Sequence, residues 1–279
     1  MSKPKIIAVV GPTASGKSAL GAYLAKKLGG EVVSADSRQV YKGMHIISRA
    51  EKGHMVGIAD PAKQFSAGEY VKHAQKICAH ILENKRTPIV LGGTGFYADA
   101  LLGRMPLPQV EPDKKLRTKL NKRSAKQLMA QLKTLDPTVA VRVDPANLVR
   151  LVRAIEIAKA GPLPPGDTAS PYRVLWLGLR QSKNLNAGVE ARLRAGMVAE
   201  AKRLRGALPR RRYKELGFEF DLLSDYLDKK ISRQELVEKI ANGERKYAKR
   251  QNRWFKRNPD IHWVKSRAEA LRLSKKFLR

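Results

Sequence analysis

The chain has few of the residues that mark secreted, zinc-binding or membrane proteins. Cys78 is the only cysteine among 279 residues, so no internal disulfide can form, and there is no Cys/His cluster with zinc spacing. No stretch approaches the roughly 20 consecutive apolar residues of a membrane span. The first residues lead directly into an apolar run, Ile6–Val10, which leaves no room for a signal peptide. These absences favour a soluble cytoplasmic protein without a membrane partner, in which Cys78 is a small core residue.

Acidic residues are also scarce. The chain has 25 Asp and Glu against 56 Lys and Arg, a net charge of +31. Residues 1–100 hold 14 basic and 7 acidic residues, so most of the excess lies later in the chain. A basic surface can simply aid solubility, but an excess of this size and clustering indicates a polyanion such as nucleic acid as partner.

A glycine-rich segment fits the pattern G-x-x-x-x-G-K-[ST]. It lies between the apolar run Ile6–Val10 and a helical pattern that begins near Leu20. In such a loop, backbone N–H groups converge on a phosphate, Lys17 bridges phosphate oxygens, and Ser18 offers its hydroxyl to Mg²⁺. The pattern predicts a diphosphate or triphosphate site, but does not specify the molecule that carries it. The predicted phosphate-binding residues are Gly11, Pro12, Thr13, Ala14, Ser15, Gly16, Lys17 and Ser18.

The first hundred residues alternate strand-like and helix-like segments, which indicates a parallel sheet. Ligands of such sheets gather beyond the carboxyl ends of the strands. Gly11, Asp36 and Thr94 all follow strand-like runs, so we expect them to face one cleft. The predicted fold class is α/β, with a P-loop NTPase-like parallel sheet flanked by helices. The predicted strands are Ile6–Val10, Glu31–Ala35, Pro88–Leu91 and Arg173–Leu179.

A Lys-rich segment without strand candidates, residues 109–143, is predicted to be a helical insertion into a core made of residues 1–108 and 144–279. Asp144 and Pro145 are predicted to begin the next helix, which Gly161 ends. The apolar stripe predicted for that helix consists of Leu148, Leu151, Val152 and Ile155, opposite Arg150 and Arg153.

The last long helix is predicted to begin at Ser232, which forms a capping box with Glu235, and to end before Pro259. Basic residues recur at helical spacing in its second half, and no acidic residue follows Glu244 within the helix to balance their charge. A solvated face would interleave acids, so the pattern favours contact with phosphates. The stripe consists of Lys246, Lys249, Arg250, Arg253 and Arg257.

Several motifs, in order along nearly the whole chain, closely resemble the tRNA dimethylallyltransferase family. Besides the glycine loop they are Asp36-Ser37 with Tyr41-Lys42 and Met44, Asp60-Pro61 with Phe65-Ser66-Ala67, Gly92–Tyr97, Asp136-Pro137 with Arg150–Glu156, and Tyr247–Gln251 with Trp254-Phe255.

The resemblance implies transfer of a dimethylallyl group from dimethylallyl diphosphate to N6 of the adenine immediately 3′ of a tRNA anticodon. Diphosphate is released. Lys17, the loop amides and Mg²⁺ would stabilise the leaving group, and Thr13 would contact the diphosphate or the metal. Asp36 would accept a hydrogen bond or proton from N6.

The partner implied is the anticodon stem-loop of tRNA, bound by a monomer. The target base must leave its stack to reach a buried site. The predicted tRNA-contacting residues are Ser37, Arg38, Gln39, Thr94, Arg117, Arg150, Arg153, Lys249, Arg250, Gln251 and Arg253.

The chain departs from the family pattern in three segments. The stretch Ser48–Gly57 is shorter and keeps only His54 of a His-His pair, and Glu190–Glu200 is compressed. Where the family carries G-Y-[RK], residues 217–219 read Gly-Phe-Glu, so Arg212 or Lys214 is the candidate substitute for the basic residue.

Three other functions share part of the pattern. An adenylate isopentenyltransferase performs the same chemistry on a free nucleotide but does not need the basic stripe. A small-molecule or nucleotide kinase shares the glycine loop, without a reason for the Tyr247–Gln251 motif. A non-catalytic nucleic-acid-binding ATPase would not need the acidic and glycine-rich strand ends.

Overall fold

The computed structural model describes residues 3–105, 107–108, 110–161, 170–180 and 185–279. These residues form two compact units. The first comprises the described residues up to Met105 and from Ser170 onward, and the second comprises those between them.

A five-stranded parallel sheet forms the centre of the first unit, in the order β2-β3-β1-β4-β5. This confirms the predicted fold class. The predicted strands are present to within a residue or so, and β5 was not predicted. The strands are β1 (Lys5–Val10), β2 (Glu31–Ser34), β3 (Pro88–Gly92), β4 (Arg173–Gly178) and β5 (Ile261–Trp263).

Helices cover both faces of this sheet. Side chains alternate along β1, so Ile7 and Val9 pack on one face and Ile6 and Ala8 on the other. Helices α1 (Lys17–Leu28) and α13 (Arg267–Leu278) cover the first face. The second face carries α2 (Ala67–Glu83), α3 (Gly95–Leu101), α8 (Leu185–Arg194), α9 (Met197–Ala207), α10 (Arg210–Glu215), α11 (Phe218–Leu227) and α12 (Arg233–Phe255).

Two further expectations concern this unit. The capping box of Ser232 and Glu235 at the start of α12 is confirmed. Cys78 is buried in the core as predicted, and burial raises the pKa of its thiol to about 12. No helix within the described residues is long and apolar enough to cross a membrane.

The second unit is helical, as predicted for the insertion, but it also includes residues that the sequence assigned to the core. Helix α7 (Leu148–Lys159) packs against α5 (Ala125–Leu135) because Leu151 and Ile155 of α7 join Leu128 and Leu132 of α5 in one apolar cluster. The unit boundary therefore follows α7 instead of preceding it. The helices are α4 (Lys114–Leu120), α5 (Ala125–Leu135), α6 (Pro137–Ala140) and α7 (Leu148–Lys159).

The predicted start of α7 is wrong by several residues. Asp144 accepts a hydrogen bond from the N–H of Ala146, which closes a local turn. Asn147 caps the helix instead, by accepting from the N–H of Arg150. Consequently Leu148 is 48% exposed and lies outside the apolar stripe.

A buried carboxylate, Glu156 on α7, organises the polar side of the second unit. It accepts hydrogen bonds from Nε of Arg117 at 2.6 Å, Nη1 of Arg153 at 3.1 Å and the N–H of Asp113 at 3.0 Å. Burial opposes its ionisation, but the arginine hydrogen bonds outweigh burial and lower the pKa of Glu156. Arg117 and Arg153, predicted to bind RNA, are therefore engaged with the protein itself.

Replacing Glu156 with Gln should lower the free energy of unfolding by about 1–3 kcal/mol, because two guanidinium groups lose their charged partner. Because the pKa of Glu156 is depressed in the folded state, the contribution is present at neutral pH and is lost as pH falls through the folded-state value. Thermal unfolding of Glu156→Gln and parent between neutral and acidic pH measures this. Arg150→Gln, an exposed change on the same helix, is the control. Equal stability of parent and Glu156→Gln at neutral pH would contradict the assignment.

Candidate active site

The glycine loop follows the central strand β1 and turns sharply into α1. Gly11 and Gly16 have φ of 147° and 85°, and Ala14 has a left-handed φ of 57°. A Cβ on Gly11 would lie 2.4 Å from the carbonyl oxygen of Leu179. Such turns direct successive N–H groups toward one point, at the positive end of the α1 dipole.

Lys17 lies at the inner side of this loop. Its Nζ donates a hydrogen bond to the carbonyl of Pro12 at 2.6 Å. Burial lowers the pKa of Lys17 to about 8, although Asp36 raises it; nearby Arg49 lowers it further. The ammonium is therefore close to losing its proton at neutral to mildly alkaline pH.

Gln251 of α12 fastens the loop to the end of β3. Its Oε1 accepts from the N–H of Thr13 at 2.8 Å, and its Nε2 donates to the carbonyl of Gly93 at 2.7 Å. The side chain is buried, and a Cβ on Gly93 would lie 2.4 Å from Nε2. Gln251, predicted to contact tRNA, thus acts as a structural bridge, and it also contributes to the wall of the cavity.

The strand ends place Asp36 beside Thr94, as predicted. Oδ1 of Asp36 accepts from the N–H of Arg38 at 2.9 Å, and Oγ1 of Thr94 accepts from the N–H of Ser37 at 3.0 Å. Tyr247 of α12 lies at the same cleft, and burial, followed by the charge of Asp36, raises the pKa of its phenol.

Arg38 forms an ion pair with buried Glu219 at 2.7 Å. Nε and Nη2 of Arg38 and Oε2 of Glu219 are buried, and none has a hydrogen-bond partner among the described residues. Glu219 occupies the position where the family pattern has a basic residue. Neither suggested substitute reaches this place: Arg212 binds the carbonyls of Pro61 and Lys63 and pairs with Glu215, while Lys214 pairs with Asp221.

Gln39, also predicted to touch RNA, supports a neighbouring loop. Its Nε2 donates to the carbonyls of Ser48 and Arg49 at 3.3 and 3.1 Å, and its Oε1 accepts from the hydroxyl of Ser34. The side chain of Arg49 reaches the glycine loop, where Nη1 donates to Oγ1 of Thr13 at 2.8 Å.

The side chains meet in one cavity of about 280 Å³. It joins Thr13–Ser18 of the predicted phosphate residues to Asp36. Four charged residues in its wall were not predicted as site residues. For three of them the only sequence signal was the atypical length or composition of the segments around residues 48–57 and 217–219, and Glu244 had none. The four residues are Arg49, Glu51, Glu219 and Glu244.

Four of the five residues of the predicted basic stripe lie on α12, on its exposed side and opposite the buried Glu244, Ala248 and Gln251. The fifth, Arg257, is exposed in the turn that follows the last helical residue, Phe255. The guanidinium of Arg250 lies 5.4 Å from the ring centre of Tyr247, and that of Arg257 lies 4.1 Å from Trp254. The members are Lys246, Lys249, Arg250, Arg253 and Arg257.

The comparisons with a family model, with related sequences and with solved structures all indicate the same family. The family model described as IPP transferase matches residues 39–258. A tRNA dimethylallyltransferase 1 of Geotalea uraniireducens is 34% identical, over 98% of this chain and 97% of the relative.

Two crystal structures have the same fold and 30% identity. The full-length tRNA isopentenylpyrophosphate transferase of Bacillus halodurans superposes with a TM-score of 0.71, over 99% of this chain and 96% of the other. The tRNA delta(2)-isopentenylpyrophosphate transferase of Staphylococcus epidermidis gives 0.69, over 99% of both chains. Since the sequence and structural similarities extend over nearly the whole length, the chain belongs to the IPP transferase family.

Proposed function

We propose that this protein transfers the dimethylallyl group of dimethylallyl diphosphate to N6 of the adenine that follows a tRNA anticodon. One observation carries the proposal: a phosphate-type loop with a partly buried lysine shares a cavity with Asp36. Helix α12, which contributes to the wall of this cavity, presents four cations on its outer side, and Arg257 follows its end. The named activities of the relatives support the same reaction. We propose that it acts as a monomer.

In the proposed reaction, the N6 lone pair attacks C1 of the dimethylallyl group while the bond from C1 to the diphosphate oxygen breaks. Negative charge grows on the diphosphate, and Lys17 with the loop N–H groups would stabilise it. Because Oγ1 of Thr13 accepts a hydrogen bond from Arg49, its hydroxyl proton can point to a diphosphate oxygen. Oγ of Ser15 is buried without a partner among the described residues, which fits the same ligand.

Asp36 would accept the proton that N6 loses. The backbone N–H of Arg38 fixes Oδ1, and this leaves the second oxygen to receive the amine hydrogen. An exocyclic amine is a weak acid, so the carboxylate acts by orienting the nitrogen as well as by taking the proton. Thr94 and Ser37, which bond to each other beside Asp36, would border the adenine.

We propose Mg²⁺ as the cofactor. The described residues contain no group of three or more His, Cys, Asp or Glu side chains that could hold a metal by themselves. This fits Mg²⁺, which commonly binds through substrate phosphates and one or two protein oxygens. Ser18 would supply a hydroxyl and Asp36 a carboxylate of the same cavity wall; bound Mg²⁺ would neutralise diphosphate charge.

Labelled dimethylallyl diphosphate tests the proposal directly. The protein is incubated with this donor and, in separate reactions, with unmodified tRNA, AMP or ATP. Label in tRNA supports the proposed function, label in AMP or ATP identifies a nucleotide prenyltransferase, and phosphorylation by ATP without prenylation identifies a kinase. ATP hydrolysis without any transfer would indicate a nucleic-acid-binding ATPase.

Replacing Lys17 with Ala should lower turnover by about 10²–10³-fold, the scale of losing one donor to a developing anion. tRNA affinity should change little. In the parent, donor affinity should weaken as pH rises through about 8, because the free lysine then loses the proton that the bound diphosphate requires. Titration of both proteins with donor between pH 6.5 and 9.5 tests this. A Lys17→Ala variant with near-normal turnover at saturating donor would show that the phosphate assignment is wrong.

Replacing Asp36 with Asn should slow the chemical step by about a hundredfold or more, because the variant lacks the anionic acceptor for the N6 proton. Single-turnover measurements with both substrates saturating isolate this step from binding. An unchanged rate would limit Asp36 to a metal-binding or structural role.

Replacing Lys249, Arg250 and Arg253 together with Gln should weaken tRNA binding. It should also flatten the slope of log affinity against log salt by about two to three, slightly less than one for each phosphate that the variant no longer neutralises. Donor affinity should remain, because the stripe faces away from the cavity. The matched control removes three exposed cations from α13: Arg272, Lys275 and Lys276. If both triple variants keep the salt slope of the parent, the stripe does not bind RNA.

A further inference from the structure

Arg49 comes to the glycine loop from a segment that precedes α2. Its backbone has a left-handed φ of 55°, which is uncommon for a residue with a long side chain. The guanidinium donates to Oγ1 of Thr13 at 2.8 Å and forms part of the wall of the cavity that contains Lys17. Arg49 is therefore a cationic group that, like Lys17, contacts the predicted phosphate residues directly.

Buried polar groups hold the segment before Arg49 in position. The carboxylate of Glu200, itself buried, accepts from the N–H groups of Ile46 and Ile47 at 3.0 and 2.8 Å. Gln39 donates to the carbonyls of Ser48 and Arg49. A side chain positioned in this way loses little freedom when it binds a ligand.

Arg49 shares its carboxylate partner with a second arginine. The buried carboxylate of Glu244 accepts from Nη2 of Arg49, at 2.8 Å to Oε2, and from Nη2 of Arg192, at 2.5 Å to Oε1. Arg192 is almost fully enclosed, with 8% of its side chain exposed, whereas Arg49 has 27% exposed. Of these two guanidinium groups, Arg49 is therefore the one that a ligand in the cavity can reach.

We infer that Arg49 binds the diphosphate of the donor together with Lys17 and stabilises it as it leaves. The inference rests on the proposed function. A guanidinium presents paired N–H groups that match phosphate oxygens, and it keeps its charge at all physiological pH values. Arg49 therefore adds a planar, paired donor group to the single ammonium of Lys17 at the same loop.

The test compares Arg49→Gln and Arg49→Lys with the parent. Calorimetric titration with inorganic diphosphate and Mg²⁺, and the donor KM, should both show a loss of about 10–100-fold in Arg49→Gln, the scale of one hydrogen bond from a charged group. Arg49→Lys should recover part of this loss. The control is Arg245→Gln, an exposed arginine on α12 that bonds Asn242 and Asn186, and it should bind diphosphate like the parent.

Glu244→Gln separates diphosphate binding from a purely structural role of Arg49. This variant loses the anchor of Arg49 but also one negative charge near the cavity, so diphosphate affinity should stay the same or increase even if the melting temperature falls. If Arg49 only anchors its segment to α12, both Arg49→Gln and Glu244→Gln should lose affinity in parallel with stability, and that result overturns the inference. Unchanged diphosphate affinity in a folded Arg49→Gln also overturns it. If Arg49→Gln does not fold, diphosphate affinity and melting temperature are compared in Arg49→Lys and Glu244→Gln. A loss of affinity that parallels the loss of stability in both variants, or an unchanged affinity in Arg49→Lys, then overturns the inference.

The proposed function can fail separately. If the parent binds diphosphate but labels no tRNA, the proposed reaction is wrong while the role of Arg49 in binding diphosphate is still measured. If the parent labels tRNA and Arg49→Gln does so with the KM of the parent, only the inference is wrong.

Discussion

The hydrogen bonds of one buried amide, Gln251, determine how the site is assembled. The side chain joins residues that are far apart in sequence, Thr13 after β1 and Gly93 after β3, and it belongs to the long helix α12. An amide is suited to this place because one end must accept from an N–H and the other must donate to a carbonyl. A carboxylate lacks the donor, and an apolar side chain would leave both backbone groups unpaired in a buried region, which is costly. The shape of the glycine loop therefore depends on the position of α12.

The charges inside the first unit follow a similar rule. Each buried carboxylate near the cavity has partners of its own: Glu219 pairs with Arg38, Glu244 with two arginines, and Glu200 with two backbone N–H groups. Burying an unpaired charge costs several kcal/mol, so these pairings are requirements of the fold. The large positive excess of the chain is consequently not placed in the interior. It lies mainly on the surface, where the stripe of α12 is its densest part near the site.

The sequence was sufficient for features that depend on local patterns. Apolar runs followed by glycine or aspartate predicted the parallel strands, and the spacing of the stripe predicted the outer side of α12. The sequence was insufficient where contacts between residues far apart in the chain determine the structure. Nothing near Gln251 indicates that it bonds Thr13, and nothing near Arg49 indicates a shared carboxylate on α12. Two acceptable caps, Asp144 and Asn147, compete within four residues, and tertiary packing of α7 on α5 selects the second. The strand β5 is only three residues long and carries too short a pattern to be recognised.

The geometry of α12 also explains why a base would have to leave its stack under the proposed function. Glu244, Tyr247 and Gln251 contribute to the cavity on one side of the helix, while Lys249 and Arg253 are exposed on the other. A helix with its side chains is about 10–12 Å across, so phosphates bound to the outer side would be separated from the cavity by about this distance. A stacked base lies too close to its own backbone to bridge such a gap, whereas an extruded nucleotide can cover it. Arg250, whose guanidinium lies 5.4 Å from the ring centre of Tyr247, contacts a residue of the cavity wall from the exposed side of the helix. One helix therefore both holds the glycine loop and sets the distance over which the substrate base would have to travel.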